Sequence, residues 1–239
     1  MKYRINKFLA TAGIASRRQA ERLIEEGRVS INGNIVTDLS TMVDIHNDRV
    51  MFDAEEVRLQ QEVVYIAINK PVGYICSHND PQGRPQADQL LPQNEQRLFS
   101  IGRLDVDTEG LLCFTNDGDL ANRMAHPKYA LEKEYLVLLN KPLKPDDQQK
   151  IKQQNIDLDD GPAPKVKIVQ RDGAGLLWSI SITEGRNRIV RRIFESVNYS
   201  VMSLKRIGIG PIKLAELPVG KYRYLNEGEV KALRKRLLS

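Results

Sequence analysis

The stretch GRLDVDTEGLLCFTNDG (residues 102–118) sets Asp105, Asp107 and Glu109 directly ahead of the apolar run from Leu111 to Phe114. Carboxylates in that density suit a calcium loop, a plain surface hairpin, or one carboxylate held at the mouth of a cleft. The calcium reading fails on spacing. Asp105, Asp107, Glu109 and Gly110 mimic positions 1, 3, 5 and 6 of an EF-hand loop, but the position needing a bidentate carboxylate falls on Asn116. Position 9 falls on Cys113, and the following residues read as strand. No metal is expected. A functional carboxylate in a water-poor cleft needs a nearby cation that stays charged, best an Arg. EGRNRIVRRIF places Arg188, Arg191 and Arg192 at i, i+3 and i+4, opposite the stripe Val190, Ile193 and Phe194. EKEYLV presents Tyr135 on a strand with Lys133 and Leu131 on the same face, a surface on which a planar substrate could stack. Taken singly, each feature has an ordinary explanation: a solvated helix face with Arg191 paired to Glu195, and core packing for Tyr135.

The elements that must position these residues fall into two parts. In residues 1–60, Ile5, Phe8, Leu9 and Ala12 recur at helical spacing until Gly13. Ser16 then caps a second helix with Ala20, Leu23 and Ile24 on its apolar stripe, ending near Gly27. Short strands follow, with a hairpin turn at Asn32-Gly33. The polar run AEEVRLQQE (54–62) reads as a linker, and residues 61–239 as mixed α and β. Strands are expected in VVYIAINKPVG, LLCFTND, EKEYLVLL, PKVKIVQRD, LLWSISIT, VMSLKRIGIG and KYRYL. SHNDPQGRPQADQLLPQ reads as a loop. Helices are expected in KPDDQQKIKQQ, in NRIVRRIFESV and after Asn226, where Glu229 completes a capping box. The strands follow too closely for repeated βαβ crossovers. An α+β fold with a mixed, mainly antiparallel sheet is therefore expected.

Charge distribution suits either a polyanionic partner or ordinary solvated helix faces. Residues 1–30 hold seven Lys or Arg against three Glu, and residues 186–239 hold thirteen against four, although the whole chain is only +5. Basic ends around an acidic middle suit two surfaces laid on a phosphate backbone. Cys76 and Cys113 are far apart with no metal spacing, which suits a reduced, cytoplasmic setting. The apolar run FLATAGIA near the N-terminus is too short and interrupted for a secretory signal, and no stretch approaches a membrane span.

Longer motifs connect these features. The chain resembles the bacterial pseudouridine synthases of the RsuA/RluB type across nearly its whole length. The resemblance rests on NKPVGYICS (69–77), GRLDVDTEGLLCFTNDGDLANRMAHP (102–127), EKEYLV (132–137) and EGRNRIVRRIFESVNYSVMSLKR (184–206). It closes with G-x-x-x-L-x-x-L-x-x-G-x-x-R-x-L over 210–225, and SRRQAERLIEEGRVSINGNIV resembles an S4 RNA-binding module. Ile189 departs from the polar residue usual there, and Asn198 replaces a usual Gly, although Asn also tolerates positive φ.

The resemblance implies an S4-like module over 1–60 and a catalytic domain over 61–239. It implies that Asp105 is the catalytic aspartate, Tyr135 the tyrosine that stacks on the target uracil, and Arg191 the basic residue that pairs with the aspartate. Arg17, Arg18 and Arg22 on the module, and Lys70, Arg103, Arg186, Arg188 and Arg192 on the catalytic part, are expected to contact RNA. Asp107 and Glu109 are assigned no chemistry. The implied reaction moves uracil from an N1 to a C5 glycosidic link, with Asp105 either capturing C1′ as an ester or removing the 2′ proton. It needs no cofactor. The expected substrate is ribosomal RNA, with the large-subunit 23S RNA favoured by the RluB-like stretch DGPAPKVKI (160–168) and 16S RNA as an alternative. A monomer is expected. The rival function is a catalytically idle S4-type RNA-binding or ribosome-assembly protein. Its mark would be loss of the Asp, Tyr or Arg, and all three are present.

Overall fold

A computed structural model describes the whole chain except residues 60, 61, 78, 79, 94–96, 155 and 239. The described chain divides into two compact units, one made of Met1–Val64 with residues 97–98 and Asn116–Gly118, the other of the remaining residues. The linker expected at 54–62 falls partly outside the described residues, as does the start of the loop expected after Cys76.

In the first unit β1 (Lys2–Arg4), α1 (Ile5–Thr11), α2 (Arg17–Glu25), β2 (Val29–Ile31), β3 (Asn34–Ile35), β4 (Met42–Asp44), β5 (Val50–Phe52) and β6 (Glu55–Glu56) follow in order. Local chemistry accounts for the boundaries. Gly13, at φ +84, lies just past α1. The Ser16 hydroxyl accepts from the Gln19 amide while the Gln19 side chain accepts from the Ser16 amide, a complete capping box for α2. Asn32 and Gly33 both take positive φ, 52° and 85°, and turn β2 into β3. Ile5, Leu9, Ala20, Ile24, Val29 and Val43 are fully buried in the small core these elements enclose. Glu55 and Glu56 do not belong to an extended linker; they pair with β5 as its edge partner.

The second unit runs β7 (Tyr65–Lys70), β8 (Phe99–Ile101), β9 (Glu109–Thr115), α3 (Gly118–Ala125), β10 (Lys133–Leu139), α4 (Pro145–Lys152), β11 (Asp157–Leu158), β12 (Gly161–Pro162), β13 (Lys167–Gln170), β14 (Leu177–Ile182), α5 (Ile189–Glu195), β15 (Val201–Ile209), β16 (Ile212–Lys213), β17 (Tyr222–Tyr224) and α6 (Glu227–Leu238). Its large sheet has the order β13-β14-β10-β15-β9-β7-β17, with β16 on β15 and β8 on β9. The sheet is mixed and mainly antiparallel, as its closely spaced strands require. Its one parallel junction joins β15 to β9, with Arg206 beside Gly110. A Cβ on Gly110, at φ +115, would stand 2.3 Å from the Arg206 carbonyl oxygen, so only glycine lets the two strands meet.

Ala67, Leu111 and Cys113 pack with Leu120 and Met124 of α3 and Leu233 and Leu237 of α6. Each fully buried Leu in such a layer contributes about 1.5–3 kcal/mol relative to exposure. Burial pushes the Cys113 thiol up to about 12, so it is packing material and no nucleophile. Asn226 and Glu229 cap α6 reciprocally, Asn226 Oδ1 accepting from the Glu229 amide and Glu229 Oε2 from the Asn226 amide. Asn198 takes φ +66 just past α5, the conformation expected of the residue standing for Gly.

Candidate active site

The 102–108 loop leaves β8 through Gly102 at φ +72 and re-enters the sheet at β9. The Thr108 amide donates to the Asp105 carbonyl at 3.1 Å, closing a tight turn, and the Gly73 amide donates to the Val106 carbonyl at 2.7 Å. These bonds hold Asp105, half-buried, at the wall of a cavity of about 250 Å³. Tyr135 lines the same cavity from β10, with Lys133 two residues earlier on the same face, and Leu204 and Arg206 from β15. Among the described residues nothing hydrogen-bonds the Asp105 carboxylate. It is therefore open to a ligand on the cavity side.

The arginine helix is arranged differently from the expectation. Arg188 is the N-cap of α5 and takes φ +48. Arg191 is buried, and its guanidinium is spent on backbone and on Asp107. Nη2 donates to the Asp107 carbonyl at 2.9 Å, Nη1 to the Val201 carbonyl at 2.8 Å, and Nε lies 3.3 Å from Asp107 Oδ2. Arg188 Nη1 donates to the same carboxylate oxygen at 2.9 Å. The expected pairing of Arg191 with Asp105 is thus corrected: its carboxylate partner is Asp107, two residues along the same loop. Burial alone would raise the Asp107 carboxyl, but the Arg188 hydrogen bond and the charges of both arginines hold it below the usual carboxylate range. Arg191 fixes the loop that carries Asp105. The solvated-face alternative fails as well, because the side chain is buried and meets Asp107.

The residues expected to contact RNA are placed very differently from one another. Arg17, Arg18 and Arg22 stand exposed on α2. Arg103 is exposed at the cavity rim, and Arg186 and Arg188 line the same cavity. Arg186 Nη1 and Arg192 Nη1 both reach Asp160, at 2.7 and 2.9 Å, and Arg192 also bonds Asp159, so these two are engaged by the acidic turn between β11 and β12. Arg192 brings the Asp160 carboxyl down to about 2. Lys70 is a correction. It is fully buried, its ammonium donating to the Pro71 and Tyr74 carbonyls at 2.9 and 2.8 Å, and burial lowers its amine from the usual range. Lys70 pairs across the sheet with Gly110. It cannot reach a phosphate there.

Reasoning from sequence passed over three residues: Asp107, Lys133 as a wall group, and Arg206. Burial lowers the Lys133 amine, with the neighbouring Arg206 charge adding to the effect. A signal for Arg206 was present, since a charged residue inside the apolar strand VMSLKRIGIG requires a reason.

Residues 64–196 match the RNA pseudouridylate synthase family, and residues 4–50 match the S4 domain. The chain belongs to the RNA pseudouridine synthases. It is an enzyme of that family carrying an N-terminal S4 RNA-binding domain. Among its relatives, an RNA pseudouridine synthase of unassigned role from Aquifex aeolicus is 45% identical over 98% of this chain and 95% of that protein. The ribosomal large subunit pseudouridine synthase B of Bacillus subtilis is 40% identical over 97% of this chain and 95% of that one. A solved structure described as a pseudouridylate synthase superposes with a TM-score of 0.70 at 33% identity, covering 96% of this chain and 99% of the other. In the synthase no helix among the described residues is long and apolar enough to cross a membrane, and no described group of His, Cys, Asp or Glu could hold a metal ion.

Proposed function

We propose that the synthase converts one specific uridine of large-subunit ribosomal RNA to pseudouridine, with residues 1–60 tethering the RNA and residues 61–239 carrying the chemistry. The observation that carries this reading is that Asp105, whose carboxylate has no hydrogen-bond partner among the described residues, and Tyr135 line one cavity whose other charged wall groups are cationic. The B-type large-subunit name borne by the Bacillus relative supports the choice of RNA.

The target nucleotide leaves its stack and enters the cavity, where Tyr135 offers a π-face; such stacking is worth about 1–3 kcal/mol per base. The N1–C1′ bond breaks with its electron pair left on the base. Asp105 compensates the electron-poor sugar, either by bonding to C1′ or by accepting the 2′ proton. The base turns within the cavity, C5 bonds to C1′, and the C5 proton is replaced by one gained at N1, so the product is an isomer of the substrate. Arg191 acts here as a positioning residue through Asp107, and Arg17, Arg18 and Arg22 hold flanking phosphates.

Asp105→Asn tests the reading. The variant is expected to bind ribosomal RNA fragments with unchanged affinity and to convert no uridine. Retention of most of the turnover would remove Asp105 from the chemistry.

A further inference from the structure

Arg206 sits in the wall of the cavity, directly across the strand pair from Tyr135, and only 3% of it is exposed. Its donors are unevenly used. Nε donates to the Leu111 carbonyl at 2.7 Å, and Nη1 makes one long contact of 3.5 Å with the Arg103 carbonyl. Nη2 is buried with no hydrogen-bond partner among the described residues. Among the described residues no carboxylate pairs with this guanidinium. Burying a charged donor without a partner is costly, more so than for a neutral one. A buried arginine ordinarily meets a carboxylate, as Arg191 does nearby. An uncompensated buried cation in a cavity wall is what a ligand that becomes negative during reaction would use.

The proposed reaction generates such a ligand. When the N1–C1′ bond breaks heterolytically, by either route open to Asp105, uracil departs as a monoanion with its charge spread over N1, O2 and O4. We propose that Arg206 is a further catalytic residue, its guanidinium donating to a carbonyl oxygen of the target uracil and stabilising the base anion as it leaves. Its rigid fork is held by the Leu111 carbonyl, so little reorganisation accompanies the charge build-up. The charge disappears when C5 bonds to C1′ and N1 takes up a proton. Arg206 itself neither gains nor loses one.

This inference rests on the assignment of the cavity as the active site, and leaving-group acidity separates the two. Single-turnover loss of the N-linked nucleoside is measured on RNA carrying uridine or 5-fluorouridine at the target position, using the full-length enzyme, Arg206→Gln and Arg206→Lys. The fluorinated base is the more acidic leaving group and depends less on help. Arg206→Gln is expected to slow uridine about 100-fold, the usual scale for removing one donor to developing charge, and 5-fluorouridine at least fivefold less severely. Arg206→Lys, which keeps the charge, should recover part of the loss. Equal slowing of both bases would overturn the proposal and leave Arg206 a purely structural tie between β15 and the Asp105 loop. Should Arg206→Gln not fold, the wild-type enzyme decides on 2-thio- and 4-thiouridine substrates. A marked loss with one of them supports the proposal, and rates equal to uridine with both refute it. Failure of the active-site assignment itself would look different, with Asp105→Asn still processing uridine in the same assay.

Discussion

Gly110→Ala should be among the most damaging single-methyl changes in the synthase. The added Cβ would lie 2.3 Å from the Arg206 carbonyl oxygen and 2.7 Å from its nitrogen, both rigid backbone atoms of the neighbouring strand. Carbon–oxygen contacts in sheets settle near 3.3–3.6 Å, so β9 and β15 must part by about 1 Å at their parallel junction. Overpacking of this kind costs about 1–3 kcal/mol. Holding alanine at φ +115 adds a further ~1–3 kcal/mol. The expected total is about 2–6 kcal/mol. Gly102→Ala is the control: that glycine also has positive φ, +72, but nothing lies within 4 Å of its Cβ position, so only the backbone cost of about 1–2 kcal/mol applies. Urea unfolding followed by the fluorescence of Trp178, the sole tryptophan and buried in β14, reports on the catalytic unit. The midpoint for Gly110→Ala should fall well below that of Gly102→Ala at similar slope. A Gly110→Ala loss no larger than the control would refute the argument that close strand approach requires this glycine.

Other outcomes follow from the same geometry. Replacing Arg17, Arg18 and Arg22 together by Gln should lower the slope of log affinity against log salt by about 2–3, one phosphate contact being lost per residue; an unchanged slope in filter binding would remove α2 from the RNA surface. Asp107 sits below the usual carboxylate range, so its pairing stabilises the fold above that range and the benefit is lost as pH falls through the depressed value. Asp107→Asn should therefore cost about 1 kcal/mol at neutral pH, discounted for a half-exposed carboxylate, and flatten the acid limb of a stability–pH curve; a curve parallel to wild type would contradict this. Lys70→Met should leave RNA affinity and its salt dependence as they are, because the ammonium never faces solvent; weakened binding in a still-folded variant would restore Lys70 to the interface.

Features set by neighbours in the chain were legible in the sequence. The Ser16 capping box, the Asn32-Gly33 turn, the Asn226–Glu229 cap and the left-handed Asn198 each depend on a handful of adjacent atoms, and each appears where the residue types require it. What escaped was long-range. Arg191 meets the Asp107 carbonyl across 84 residues and Arg206 meets the Leu111 carbonyl across 95, distances over which residue type does not specify a partner. Asp105 and Asp107 are both plausible partners for an arginine on one side of a helix, and only the fold decides between them. β8 and the β11–β12 hairpin are too short for any periodicity to register, and α3 is not among the helices expected from the sequence. Lys70 misled for a related reason: a lysine ending an apolar strand reads as exposed until the Pro71 and Tyr74 carbonyls are seen to hold its ammonium inside.

The most direct test of the central claim is base-resolution pseudouridine mapping of both ribosomal RNAs from cells lacking this gene, complemented with the wild-type chain or with Asp105→Asn. One large-subunit position should lose its pseudouridine in the deletion, regain it with the wild-type chain and remain unmodified with Asp105→Asn. Complete modification of every ribosomal site in the deletion strain, or restoration by Asp105→Asn, would contradict it.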